Sequence, residues 1–247
     1  MKTPTSLALG LLLAGTACGA SAQDTTDEWT HSVHLYGMAV AIDGDTELGP
    51  LSLPVSMSIS DVFDALRMGG MVAYRADNGR WSFSTDLTYM DLGWRASKTG
   101  GRVGARLDVD QLTFMATGGK RINDNTELLF SLAYFDVDAY LRLSVLQQSL
   151  SASRDANWVD PLIGIAYEHP MGDKWKLKLR GDVGGFGINS DFTWHAWAIA
   201  NRQVTDRFSW FMGYRAISYD YSEGSGAQFV RFDTIQHGPG AGISYTF

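Results

Sequence analysis

Five histidines (His31, His34, His169, His195 and His237), one cysteine and 27 carboxylates are the side chains of this 247-residue chain that could do acid–base, metal or nucleophilic chemistry. Their spacing argues against it. There is no G-x-S-x-G elbow, no H-E-x-x-H pair and no phosphate-cradling loop. His195 and His237 are the histidines expected to enter an interior, and Asp136, Asp138 and Asp220 could be grouped with His195 into an acid–base set. Any sheet rich in polar residues supplies such a set by accident, so no enzyme and no catalytic residue are expected. "DGDTE" (Asp43–Glu47) offers alternating carboxylates but lacks the rest of a calcium loop; it reads as a solvated external turn, with no metal and no cofactor. The glycines of "GDVGGFG" (Gly181–Gly187) do not have the dinucleotide spacing and suit bends or close approach of another segment.

Such side chains need elements to position them. Residues 1–22 read as a cleaved signal peptide: Lys2, the apolar run "LALGLLLAG", then "ASA" (Ala20–Ala22) before Gln23. Cys18, the only cysteine, falls inside it, so residues 23–247 form one domain without disulfides. The formal charge of -7 becomes -8 when Lys2 is removed (-7 minus +1), which excludes nucleic acid as a natural partner. Hydrophobic content is 45%, yet no apolar run after the leader approaches the ~20 residues of a spanning helix.

What the chain has instead is alternation. In "LSLPVSMSIS" (Leu51–Ser60), "WSFSTDLTYMDL" (Trp81–Leu92) and "KWKLKLRGDVGG" (Lys174–Gly185) apolar and polar residues take turns, a period of two. Full charges such as Asp86, Lys178, Arg180 and Arg215 sit mid-strand on the polar face. Tight turns at Asp77–Arg80, Arg121–Thr126, His169–Lys174 and Val204–Arg207 alternate with longer connections around Ser97–Gly104, Ser144–Asp155, Gly187–Asp191 and Ser222–Gln228. That asymmetry, with apolar residues facing out, is the pattern of an all-β, closed antiparallel transmembrane β-barrel. Ten strands are expected, near 30–42, 67–76, 80–92, 104–118, 127–143, 157–168, 175–187, 190–202, 208–221 and 229–247, with twelve or eight as alternatives. The segment 43–66 belongs to the first external connection, with Leu51–Ser60 either a strand protruding above the membrane or a segment folded into the lumen, and a short helix in "SDVFDAL" capped by Ser60 or Asp61.

Trp29, Trp81, Trp175 and Trp210 recur at the same phase after the tight turns and form an expected aromatic girdle. The lumen should hold a charge network of Asp86, Arg106, Asp108, Lys178, Arg180, Asp182, Arg215, Arg231 and Asp233, with Arg67 and Lys176 beside them. In so narrow a barrel opposite charges should pair and plug the lumen.

"WVDPLIG" (Trp158–Gly164), "LRGDVGGFGINSDFTW" (Leu179–Trp194), "GYR" (Gly213–Arg215) and "STDLTYMDL" (Ser84–Leu92) resemble a family of uncharacterised proteobacterial outer-membrane β-barrel proteins, over essentially the whole mature chain. The resemblance implies a barrel in the bacterial outer membrane and carries no substrate or catalytic residue. The expected role is a monomeric structural barrel or a narrow porin-like channel for small solutes. The alternatives are an outer-membrane enzyme acting on lipid or peptide, and a soluble periplasmic β-barrel binder. The expected partners are outer-membrane lipid and the assembly machinery that reads the terminal strand with Tyr245 and Phe247.

Overall fold

The computed structural model describes residues 28–49, 51–98, 103–145 and 148–247. The signal peptide and Cys18 lie outside them. The elements are β1 (Thr30–Met38), β2 (Ala41–Leu48), β3 (Leu51–Met57), α1 (Ile59–Ala65), β4 (Leu66–Asp77), β5 (Trp81–Lys98), β6 (Val103–Asn123), β7 (Thr126–Val145), β8 (Gln148–Met171), β9 (Trp175–Gly184), β10 (Ser190–Gln203), β11 (Phe208–Glu223) and β12 (Val230–Thr246). All pairings are antiparallel. β1, β4 to β12 and the closing β12–β1 pair form a ring of ten strands. Phe247 completes the seam by exchanging backbone hydrogen bonds with His31, at 2.9 and 3.2 Å.

β1 and β2 are one rising strand with a bend. β1 pairs with Gly240–Thr246 of β12 (Met38 opposite Gly240) and β2 with Val230–His237 (Ala41 opposite His237), in a single register. Pro239 lies at the break and has no N–H to give. Gly238 allows the bent chain to approach: a Cβ there would sit 1.8 Å from the Ala39 carbonyl oxygen. β3 folds back on β2 and ends the sheet, with Pro54 on its free edge. Of the two readings of the first external connection, the strand is the one observed: Leu51–Met57 pairs with β2 as a hairpin, and the seven-residue helix follows. Ser58, not Ser60 or Asp61, caps that helix, in a reciprocal box with Asp61.

Two further expectations are corrected at the end away from the tight turns. Ser97–Gly104 and Ser144–Asp155 are not long loops. β5 to β8 run on as paired strands of 18, 21, 20 and 24 residues, with Val145 opposite Gln148. At these two places the extra length is paired strand.

Facing follows the alternation in the turn-side half. Leu132 is 57% exposed and its neighbour Ala133 0%, so β7 turns one parity to the outside. Leu87, Leu177 and Tyr245 share the outer face, while Lys178 and Arg180 point inward. Ile163 and Ile165 of β8 and Leu128 and Phe130 of β7 extend the same apolar belt. In "WHAWAIA" His195, Trp197 and Ile199 face in; Trp194 and the alanines face out.

The inner face changes character along the axis. In the far half it is apolar: Phe135, Val137 and Leu141 of β7, Trp158 of β8, Tyr219 and Tyr221 of β11, Val230 and Phe232 of β12 and Leu48 of β2 are buried together across the lumen. Val62 and Ala65 of α1 pack beside them against Val40, Ile42, Met90 and Leu92.

Ile163 occupies the middle of the outer belt on β8. Ile163→Arg should destabilise folding into lipid vesicles by about 2–4 kcal/mol, as measured by urea unfolding from the bilayer, whereas the same change at exposed Val204 in a turn should have little effect.

Candidate functional site

Halfway along the lumen the inward polar residues join into one layer. Arg215 of β11 donates from Nη1 to the Tyr36 hydroxyl (2.7 Å) and to Asp86 (3.2 Å), and Tyr36 donates to Asp86 at 2.5 Å. On its other side Arg215 donates from Nε to His195 Nε2 at 3.0 Å. His195 Nδ1 lies 3.2 Å from Asp182, which also takes two bonds from Arg180, at 2.7 and 3.0 Å. Arg180 goes on to Thr117 (3.1 Å) and Ser131 (3.0 Å). The chain of contacts links β1, β5, β11, β10, β9, β6 and β7.

The donors fix the state of the histidine. Arginine can only donate, so His195 Nε2 must present its lone pair and Nδ1 must carry the proton toward Asp182. The ring is neutral and both nitrogens are engaged, which leaves no free base. Room for the layer comes partly from Gly164 of β8, where a Cβ would fall 2.3 Å from an Asp182 carboxylate oxygen.

A second cluster lies nearer the turns. Arg75 holds Glu127 (2.9 Å) and Asp77 (2.5 Å), and Arg121 holds Asp77 at 3.2 Å. Lys176 and Lys178 both reach Glu168, at 2.9 and 3.0 Å. Between this cluster and the central layer lies a cavity of about 590 Å³, with turn residues such as Asn78, Gly79 and Asn125 at its mouth and Asp86, Arg215 and His195 at its roof.

Of the nine charges expected in the lumen, the structure brings Asp86, Arg180, Asp182 and Arg215 into the layer and Lys178 into the cavity wall. Arg106, Asp108, Arg231 and Asp233 are corrections. Their parity places them on the outer wall of the far half, where Arg106 pairs with Asp108, and Arg231 pairs with Asp220 (3.3 Å) and Asp233 (3.0 Å). Arg67 lies there too, bridging Asp91 and Asp108. Beyond the lipid belt the outside is water, so charge goes out and apolar side chains go in. His237 is likewise outside, against Tyr214 (2.6 Å) and Asp43 (3.3 Å), while His34, not expected inside, lines the cavity. Tyr36, Arg75, Glu127, Glu168 and the hydroxyls of Thr117 and Ser131 were missed. All sit on the inward parity of their strands, which was the available signal.

The outer wall beyond the belt has a layered charge pattern. Tyr89 and Tyr134 donate to Asp110 and Asp136, both at 3.2 Å, and mark the edge. On adjacent strands Asp91, Asp110, Asp138 and Asp155 stand directly opposite one another, and two positions higher per parity Arg95, Arg106 and Arg142 do the same. Asp136 and Asp138 thus keep the outward parity of Leu132 because they have left the belt, with no bulge between them.

Trp81, Trp175 and Trp210 lie on the outer face at the turn end, Trp175 and Trp210 in edge contact at 5.3 Å and Lys120 5.4 Å above Trp81. Trp29 precedes β1 and is exposed. The quoted glycine and tryptophan motifs meet at Asp160, a buried carboxylate that accepts from the Ser190 amide (3.1 Å), the Ser190 and Thr193 hydroxyls (both 2.6 Å) and the Trp158 indole (3.1 Å). It ties the β9–β10 connection to β8. Among the described residues no cluster of metal-ligating side chains occurs.

No protein-family model matches the chain, and no curated protein does. Among solved structures, the chain is similar to the outer-membrane protease OmpT from Escherichia coli, at 9% identity and a TM-score of 0.54 over 92% of this chain and 99% of that one. The translocator domain of the autotransporter NalP from Neisseria meningitidis superposes at 12% identity with a TM-score of 0.48, over 91% and 90%. The likeness to OmpT at such low identity is a likeness of fold: the chain is a ten-stranded transmembrane β-barrel.

Two outcomes test this geometry. Arg215→Gln strands Asp86 in the lumen and should cost about 3–5 kcal/mol in urea unfolding from vesicles, with much of the loss recovered by adding Asp86→Asn. Asp138→Asn relieves repulsion in the carboxylate row and should stabilise by about 0.2–1 kcal/mol at low ionic strength, an effect that fades in molar salt.

Proposed function

We propose that the protein is a monomeric, non-enzymatic barrel of the bacterial outer membrane, exported by its signal peptide, with the turn end in the periplasm and a lumen that does not conduct. The observation that carries the reading is the filling of the far half. Phe135 is 0% exposed, Trp158 stacks on Tyr221 at 4.0 Å and on Phe135 at 5.0 Å, and Tyr219 and Phe232 close the remaining space. Below these rings the Arg215–Asp86 pair crosses the lumen, and Arg180, paired with Asp182 on its own strand, reaches over to Thr117 and Ser131. A solute would have to part both a dry aromatic core and a bonded ionic layer. The locked, neutral His195 supports the absence of catalysis. Outer-membrane lipid surrounds the belt, and Tyr245 and Phe247, on the outer face of the closing strand, are the residues offered to the assembly machinery.

Planar-bilayer recording tests this role. The folded protein should give no conductance steps above baseline at either polarity. Regular single-channel steps in the wild type would overturn the closed reading. Replacing Trp158 and Tyr221 together by alanine should open measurable steps if these rings are the seal.

A further inference from the structure

We infer that the turn-side cavity is a binding site for a small organic anion, a carboxylate carried on an apolar body. The cavity, about 590 Å³, falls in the size range of small-molecule sites. Apart from Glu28, which stands just before β1 on the other side of the ring from β9, its charges are paired, and the pairing is uneven only on β9. Asp77 and Glu127 answer Arg75 and Arg121, Asp86 answers Arg215, and Asp182 answers Arg180. Glu168 alone faces two ammonium groups, Lys176 and Lys178, at 2.9 and 3.0 Å. The inner face of β9 therefore carries a local excess of one positive charge, with Glu28, the remaining carboxylate of the lining, across the ring near β1. Both lysine side chains keep contact with the cavity, at 50% and 36% exposure, so they retain donors for a ligand.

The wall beside Lys178 is apolar, while Asn201 stands opposite Lys176. On β10, Ile199 is paired with Lys178 and Trp197 with Arg180, and both face the cavity; Phe211 of β11 lies on the same inner surface. A carboxylate at the lysines would lay its hydrocarbon body along Ile199 and Trp197. Roofed by the Arg215 layer, the site takes its ligand from the turn end.

The inference rests on the closed reading only for that direction of approach. Lysine-dependent binding would survive a finding of conductance, so the two experiments fail separately.

The test uses the full chain folded in lipid nanodiscs and isothermal titration with 4-phenylbutyrate, its amine analogue 4-phenylbutylamine and neutral 4-phenylbutanol. The carboxylate should bind saturably and at least about tenfold more tightly than either analogue. Lys176→Gln with Lys178→Gln should reduce its affinity about tenfold or more. Glu168→Gln, which releases both lysines, should strengthen it several-fold, a gain that impaired folding could not imitate. Heat-modifiable migration in SDS confirms that each variant is folded. Equal uptake of the three probes, no saturable binding, or an affinity indifferent to the lysine and glutamate changes would each overturn the inference.

Discussion

The medium outside the wall changes along the axis, and the placement of nearly every side chain follows from that change. Around the turn-side half it is hydrocarbon, where a charge is costly and an apolar side chain is not. Beyond Tyr89 and Tyr134 it is water. One uninterrupted strand must satisfy both regimes with the same alternation. β12 does so by carrying Ile243 and Tyr245 outward at one level and Arg231 and Asp233 outward at the other, while its inner face changes from Ser244 to Phe232.

The interior therefore has two solutions to one problem. Where the outside is apolar, polar groups must be satisfied within, and they bond into the layer from Tyr36 to Ser131. Where the outside is wet, the interior becomes an ordinary dry core of Phe135, Trp158 and Phe232. The layer sits at their boundary. Its members are mutually dependent: Arg215 fixes the tautomer of His195, which orients Asp182, which holds Arg180. A buried set of this kind is stable only when complete.

Much of this was legible in the residues. A period of two across Trp81–Leu92 and Lys174–Gly185, tight turns followed by tryptophan, and the absence of a long apolar run led to a ten-strand ring, and inward parity identified Asp86, Lys178, Arg180, Asp182 and Arg215. The errors at Arg106, Asp108, Arg231 and Asp233 share one cause. Parity was read as though hydrocarbon lay outside the whole strand, but alternation carries no information on height. The bend that separates β1 from β2 depended on a proline 200 residues away in the sequence, Pro239, and could not be read locally. The hub at Asp160 was hidden for a similar reason: its hydroxyl partners lie about 30 residues ahead, across a hairpin.

The central claim, a lumen that is dry in its far half and wet in its turn-side half within one hydrocarbon-facing wall, can be measured at single side chains. Methyl NMR in nanodiscs with a lipid-soluble and a water-soluble paramagnetic agent reads both faces. The account predicts that Leu132 and Ile163 are broadened only by the lipid-soluble agent, Ile199 by the water-soluble agent, and Val137 and Leu141 by neither. Broadening of Val137 and Leu141 by the water-soluble agent would contradict it, because water would then fill the lumen from end to end.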